Sequence, residues 1–276
     1  MALRLIINAD DYGRSPDISR GIRDAHLHGM VTSTSCMMIM PSVVANIKIA
    51  LQETPNLGLG VHLVLTSGKP LLPASQISTF TKAGGEFLNI TELVKRLPNL
   101  DPDEAKAEWH AQVEAFIAAA EKKPTHIDAH HHVSYFTPNL LQAFLELARE
   151  YDIAVRLPIA YKMEAGAFGL PAKLVEQILD FGPRILEEFQ PRSPDAFFAS
   201  FYDKNATRGE FLRILSHFLP NGTFEIMCHP GYVDEAFARE SAYAYQRMNE
   251  FEILTDPTMR NEVEKRGIQL ISFAQL

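Results

Sequence analysis

One stretch constrains the chain more than any other: the apolar run Leu5-Ile6-Ile7-Asn8-Ala9, which stops abruptly at Asp10-Asp11-Tyr12-Gly13. Such a run reads as a buried strand that delivers two acids to an opening at its C-terminal end. Side chains alternate along an extended backbone, so Asp10 and Asp11 face different surroundings, which suits two separate tasks better than one shared proton. One can hold a metal while the other moves protons. The bland alternative is an acid that only caps the turn into the next helix.

That helix opens at Ser15-Pro16-Asp17, with a hydroxyl cap, a proline at the first helical position and an acid facing the dipole, and Gly29 closes it. Hydrophobic periodicity predicts further strands over 31–40, 57–65, 125–128, 153–157, 196–201, 222–230 and 268–273. Helices are predicted around 43–51, 102–122, 138–151, 209–219, 236–251 and 257–266. Residues 66–90, rich in Gly, Pro, Ser and Thr, are too long for a plain connection and read as a lid or specificity loop, folded down by Leu71, Leu72, Phe80 and Phe87. Residues 158–195 read as a helical insertion broken by Gly and Pro. Strands alternate with helices through 1–276 without an obvious linker, which predicts a single α/β domain with a mainly parallel, barrel-like sheet.

A hydrophobic content of 46% is ample for one core, and a net charge of -8 with a pI near 5.7 leaves no general basic field for nucleic acid or an anionic membrane. A neutral or cationic ligand is easier to accommodate. Cys36 and Cys228 are far apart and read as small core residues in a reducing compartment. The first strand starts too early to leave room for a signal peptide, and no apolar run is long enough to span a bilayer, so a cytoplasmic protein is expected.

Four segments place polar groups at the ends of predicted strands: Asp10 with Asp11, His62, Asp128 with His130 to His132, and His229. In a parallel barrel these ends meet on one face. Two imidazoles and one carboxylate with an open position form a hydrolytic metal site, and Asp11, His62 and one of the clustered histidines fit that need. If the strand stays extended, His126, Asp128, His130 and His132 share one side and His131 takes the other. His130, nearer the strand end, is then the preferred ligand, with His132 behind it or on substrate. Asp128 can hold a ligand imidazole through its other nitrogen. Taken alone, His62 would read as a core histidine.

Asn8-Ala9-Asp10-Asp11-Tyr12-Gly13, Val31-Thr32-Ser33-Thr34, Gly60-Val61-His62-Leu63, Pro124 to Val133 and Cys228-His229-Pro230 together resemble the YdjC-like carbohydrate deacetylases, which include the chitooligosaccharide deacetylases. The resemblance runs in order to Arg266-Gly267-Ile268-Gln269-Leu270 and covers nearly the whole chain. It implies a deformed (β/α) TIM-like barrel, a divalent metal held by Asp11, His62 and His130, Asp10 as catalytic base, and a homodimer. It also implies removal of an acetyl group from an N-acetylated sugar, typically a β-linked N-acetylglucosamine oligosaccharide. Ala129 departs from the family's usual Ser, and Ser134 stands where a further His is common, so the outer polar shell is altered while the inferred ligands remain.

The chemistry expected from these residues is attack by a metal-activated water, with Asp10 as base, His229 as proton donor to the departing amine, and Arg156 orienting Asp10. Arg156 could instead be a structural ion pair, and His229 a turn residue stacked on Tyr232. Tyr12, Tyr135, Phe136 and Tyr232 lie beside the predicted mouth and could pack on a sugar ring. Two histidines favour zinc, cobalt or nickel, whereas the resemblance also allows magnesium. The rival readings are a metal-dependent amide or ester hydrolase acting on another acylated amino-sugar or glycolipid, and a non-catalytic sugar- or metal-binding homologue.

Overall fold

The computed structural model describes residues 3–157 and 172–276. The opening apolar run forms β1 (Arg4–Tyr12), and Leu5, Ile6, Ile7 and Ala9 have no exposed surface. A strand covered on both faces carries apolar residues continuously rather than alternately. After it come β2 (Ser33–Cys36), β3 (Gly58–Leu63), β4 (His126–Ala129), β5 (Ala154–Val155), β6 (Ala196–Phe198), β7 (Thr223–Cys228) and β8 (Gln269–Leu270). The sheet runs β5-β4-β3-β2-β1-β7-β6, with β8 added beside β1, and every pairing is parallel.

Helices cross between the strands: α1 (Pro16–Leu27), α2 (Val43–Glu53), α3 (Ile90–Arg96), α4 (Pro102–Ala120), α5 (Pro138–Tyr151), α6 (Ala172–Phe189), α7 (Arg208–Leu215), α8 (Glu235–Glu240), α9 (Tyr245–Leu254) and α10 (Pro257–Lys265). Caps set several starts, as at α1, where the Ser15 side chain accepts the Ile18 N–H and Pro16 follows it.

The edge strands β5 and β6 do not pair with each other among the described residues, so the barrel is open there. Arg156, directly after β5, crosses the seam to Glu225 on β7 and lies over the Phe197 ring of β6. The architecture is the mainly parallel, barrel-like α/β domain that the strand and helix alternation predicts, deformed as the family resemblance implies.

The differences from expectation lie at strand ends. The run 31–40 is strand only over Ser33–Cys36, because Met37 turns away after donating its N–H to the Tyr12 carbonyl. The helix expected over 236–251 is two, α8 and α9, and the break at 241–244 turns inward. Of the expected insertion, residues 158–171 lie outside the described residues, and much of the remainder forms α6.

Residues 64–90 are fastened to α4 by side chains at four-residue spacing. Glu104 accepts from the Thr79 N–H at 2.8 Å, Glu108 from the Leu71 and Leu72 N–H groups at 3.0 and 2.9 Å, and Gln112 bonds both backbone groups of Val64 at 2.9 Å. Phe80 and Phe87 are buried, whereas Leu71 stays exposed. Cys36 and Cys228 are buried free thiols. Among the described residues no helix is long and apolar enough to cross a membrane.

Candidate metal centre

At the end of β1 the backbone leaves the extended region: Asp11 has φ 69°, and the register against β2 shifts between Ala9 and Tyr12. Asp tolerates this left-handed conformation better than most residues. The turn continues through Gly13 at φ 92°, where a Cβ would lie 2.4 Å from the Val43 side chain, so only glycine fits. This bulge, as much as strand alternation, separates the two acids.

Asp11 points to the histidines. Its Oδ1 lies 3.7 Å from His62 Nε2 and 3.5 Å from His130 Nδ1, and the two nitrogens are 3.2 Å apart. Ligands about 2.0–2.1 Å from a tetrahedral ion stand roughly 3.4 Å from one another, so the triangle has the right size for one cation. Asp11 Oδ1 is buried and has no hydrogen-bond partner, an expensive condition for a carboxylate oxygen that a cation would relieve. The fit therefore rests on both spacing and an unmet charge. Arg247 donates to the other oxygen, Oδ2, and Arg14 lies 3.6 Å from it, leaving Oδ1 as the free donor.

One imidazole is oriented by a carboxylate and the other is held neutral. His62 Nδ1 is 2.7 Å from Asp128 Oδ1, which assigns the proton to Nδ1 and leaves the Nε2 lone pair toward Asp11. Burial and the neighbouring His131 hold His130 well below its usual range, so it stays neutral and offers a lone pair. Burial disfavours ionised Asp11, but the Arg247 and Arg14 guanidiniums overcome it and hold the carboxyl well below its usual range. Asp10, His62 and Asp128 form a second close cluster, but Arg156 already reaches both of its carboxylates.

Asp10 faces that arginine. Arg156 is fully buried and binds it through both Nη atoms at 2.7 Å, while Asn8 Nδ2 donates to Oδ1 at 2.8 Å. The same guanidinium is 3.0 Å from Asp128 Oδ2 and donates Nε–H to Glu225 at 2.8 Å. One cation thus serves three carboxyls, and burial pushes Glu225 up to about 8 against the pull of Arg156. Tyr135 supports the hub by donating its hydroxyl to the Arg156 carbonyl at 2.5 Å.

His229 directly follows β7, with Nε2 4.0 Å from Asp10 Oδ2. Its ring is flanked edge-on by Tyr202 and Tyr243, not by Tyr232. These two tyrosines stack at 4.3 Å and 7° and line a cavity of about 400 Å³ with Asp10, Asp11 and the histidines. The aromatic lining expected from sequence is corrected accordingly. Tyr12 is fully buried and donates to the Asn46 carbonyl, Tyr135 and Phe136 are buried, and Tyr232 turns to α1, where Arg20 covers its ring and Asp24 accepts its hydroxyl.

The parity expected past Asp128 also fails, because His131 and His132 have φ 55° and 58° and the chain is no longer extended. His130, His131 and His132 all line the cavity, His131 with Nδ1 2.9 Å from Thr66 Oγ1. His126 sits apart, stacked on Phe273. Arg247, Glu250, Tyr202 and Tyr243 escaped the sequence reading; Asn8 entered it only within the Asn8-to-Gly13 motif, and Ser35, whose Oγ donates to Asp128 Oδ2 at 2.9 Å, only within a predicted strand. For Tyr243 the cue was the Ser241-Ala242-Tyr243 stretch inside an otherwise helical pattern.

A family model described as YdjC-like protein matches residues 4–265. The chain is 35% identical over 274 residues to a protein of Brevibacillus brevis named carbohydrate deacetylase, covering 99% of this chain and 100% of that one. It is also 35% identical over 271 residues to a Yersinia pestis protein named chitooligosaccharide deacetylase, covering 98% and 97% of the two. A crystal structure from Enterococcus faecalis, described as that of a proposed cellobiose-phosphate cleavage protein, superposes with a TM-score of 0.86 at 31% identity, covering 100% and 99%.

Proposed function

The chain belongs to the YdjC-like family, and from that premise we propose that it is a metal-dependent hydrolase removing the acetyl group from an N-acetylated sugar, with N-acetylglucosamine oligosaccharides as the substrate class. The observation that carries this reading is the convergence of Asp11 Oδ1, His62 Nε2 and His130 Nδ1, with Oδ1 otherwise unpartnered. These three atoms would hold a divalent cation. When bound, such an ion supplies Lewis-acid polarisation of the amide carbonyl and acidifies a water. Two imidazoles and a single carboxylate oxygen suit zinc, cobalt or nickel better than magnesium, which prefers an oxygen-rich shell.

The chain's own groups divide the proton work. Asp10, oriented by Arg156 and Asn8, takes a proton from the attacking water. His229, with Nε2 4.0 Å from Asp10, returns one to the amine nitrogen as its bond to the acetyl carbon breaks. Tyr202 and Tyr243 offer ring surface at the mouth for a pyranose. Homodimer assembly follows from the family resemblance, and buried free thiols suit action in a reducing cytoplasm.

The test combines elemental analysis with acetate release from chitobiose and longer oligomers. We expect one metal per chain and acetate formation in the native protein. In Asp10→Asn, metal should be retained and kcat should fall by a factor on the order of 10²–10⁴. Near-normal turnover in that variant overturns the role of Asp10. Metal retention with sugar binding but no acetate release in the native protein would identify a binding protein instead.

A further inference from the structure

Behind His229 lies a carboxyl group that the chemistry above does not use. Glu250, on α9, is fully buried, and its Oε2 accepts the backbone N–H of His229. Its Oε1 accepts the Tyr243 hydroxyl, which in turn accepts the Asp203 N–H at 3.1 Å. The carboxyl therefore ties the end of β7 to the aromatic wall of the cavity.

The imidazole itself is left half-satisfied. His229 Nδ1 is buried, has no hydrogen-bond partner, and lies 4.0 Å from Glu250 Oε1. Nε2, on the opposite edge, is 4.0 Å from Asp10 Oδ2. Tyr202 and Tyr243 stand edge-on to the ring at 5.4 and 5.5 Å, which opposes its rotation. About 1 Å of travel brings Nδ1–H and Oε1 within bonding distance.

We propose that Glu250 is a positioning residue for His229: it anchors the main chain at the end of β7 and accepts the Nδ1 proton, so that Nε2 faces Asp10 and the departing amine. This rests on His229 being the proton donor of the reaction. In the step itself, the proton that Asp10 has taken from the attacking water passes to the free Nε2 lone pair and from there to the amine nitrogen as the C–N bond breaks, while the Nδ1–H stays on the ring and bonded to Glu250. Burial lowers His229 to about 4, opposed by Asp10 and Asp11, and burial raises Glu250 to about 8, opposed by the His229 N–H, Tyr243 and Arg247.

The experiment records imidazole ¹⁵N spectra of the full chain with one equivalent of Zn²⁺, with His229 assigned by the signals lost in His229→Gln. In the native protein the Nδ1–H tautomer should dominate at neutral pH. Glu250→Gln keeps the shape and an acceptor for the His229 N–H, yet should raise the Nε2–H fraction several-fold, and Glu250→Asp should restore part of the native pattern. An unchanged tautomer ratio in Glu250→Gln overturns the proposal. In parallel, kcat for acetate release should fall about 10-fold or more in Glu250→Gln, a fraction of the general-acid contribution, with KM within about 2-fold. A KM effect alone also overturns it. Should the native protein release no acetate, the deacetylase reading falls, while the tautomer comparison still decides the role of Glu250.

Discussion

Asp10 and Asp11 are adjacent in sequence and serve separate charges, one held by Arg156 and the other by Arg247. Because Arg247 occupies Oδ2 of Asp11, the loss of Oδ1 would leave two neutral imidazoles, too weak a set for a divalent ion. Asp11→Ala and His130→Ala are therefore expected to come off a desalting column without stoichiometric zinc, as measured by elemental analysis. Retained metal in either removes that residue from the ligand set. The strand's abrupt acidic end and the histidine cluster were legible because acids and imidazoles announce themselves by type. Their counterions were not: Arg247 is 236 residues from Asp11, and nothing in its helical surroundings distinguishes it from a surface arginine.

Among the elements, α4 acts as a clasp on residues 66–90. Glu108→Ala would leave the Leu71 and Leu72 N–H groups without their acceptor, at a cost of about 1–3 kcal/mol. We expect faster amide exchange at those two positions than in the native protein, and equal protection would show that the clasp lies elsewhere. At α10, Asp256 caps the helix, and the Thr258 N–H and hydroxyl, both at 2.8 Å, hold its carboxyl below the usual range. A depressed folded-state value means that its stabilisation is present above the ordinary carboxylate range and disappears as pH falls through the folded value. Asp256→Asn should thus have a lower Tm than the native protein at neutral pH, with the gap closing in acid. A gap that is constant with pH would exclude the charge as its cause. Most helices were legible from their caps and stripes, but the break between α8 and α9 was not, because it is stabilised by contacts that Tyr243 makes with Glu250 and Asp203.

For the whole molecule, the proposed cation and the fold stabilise each other, since its ligands come from β1, β3 and the end of β4 and meet only when the sheet is assembled. At a free concentration 100 times Kd, binding adds about 2.7 kcal/mol. That corresponds to roughly 5–10 °C in Tm for a chain of this size. Chelation should lower the native Tm by that order and leave Asp11→Ala unmoved; a similar chelator effect in both would place the metal elsewhere. What the sequence determined unaided is the alternation of strands and helices, and the gathering of acids and imidazoles at strand ends, because hydrophobic period and residue type are local properties. Tertiary structure alone decided which oxygen of Asp11 stays free, which tyrosines line the cavity and which buried charges balance the site. Those outcomes depend on left-handed turns at Asp11, His131 and His132 that end strand alternation, and on partners brought together only by the curl of the sheet.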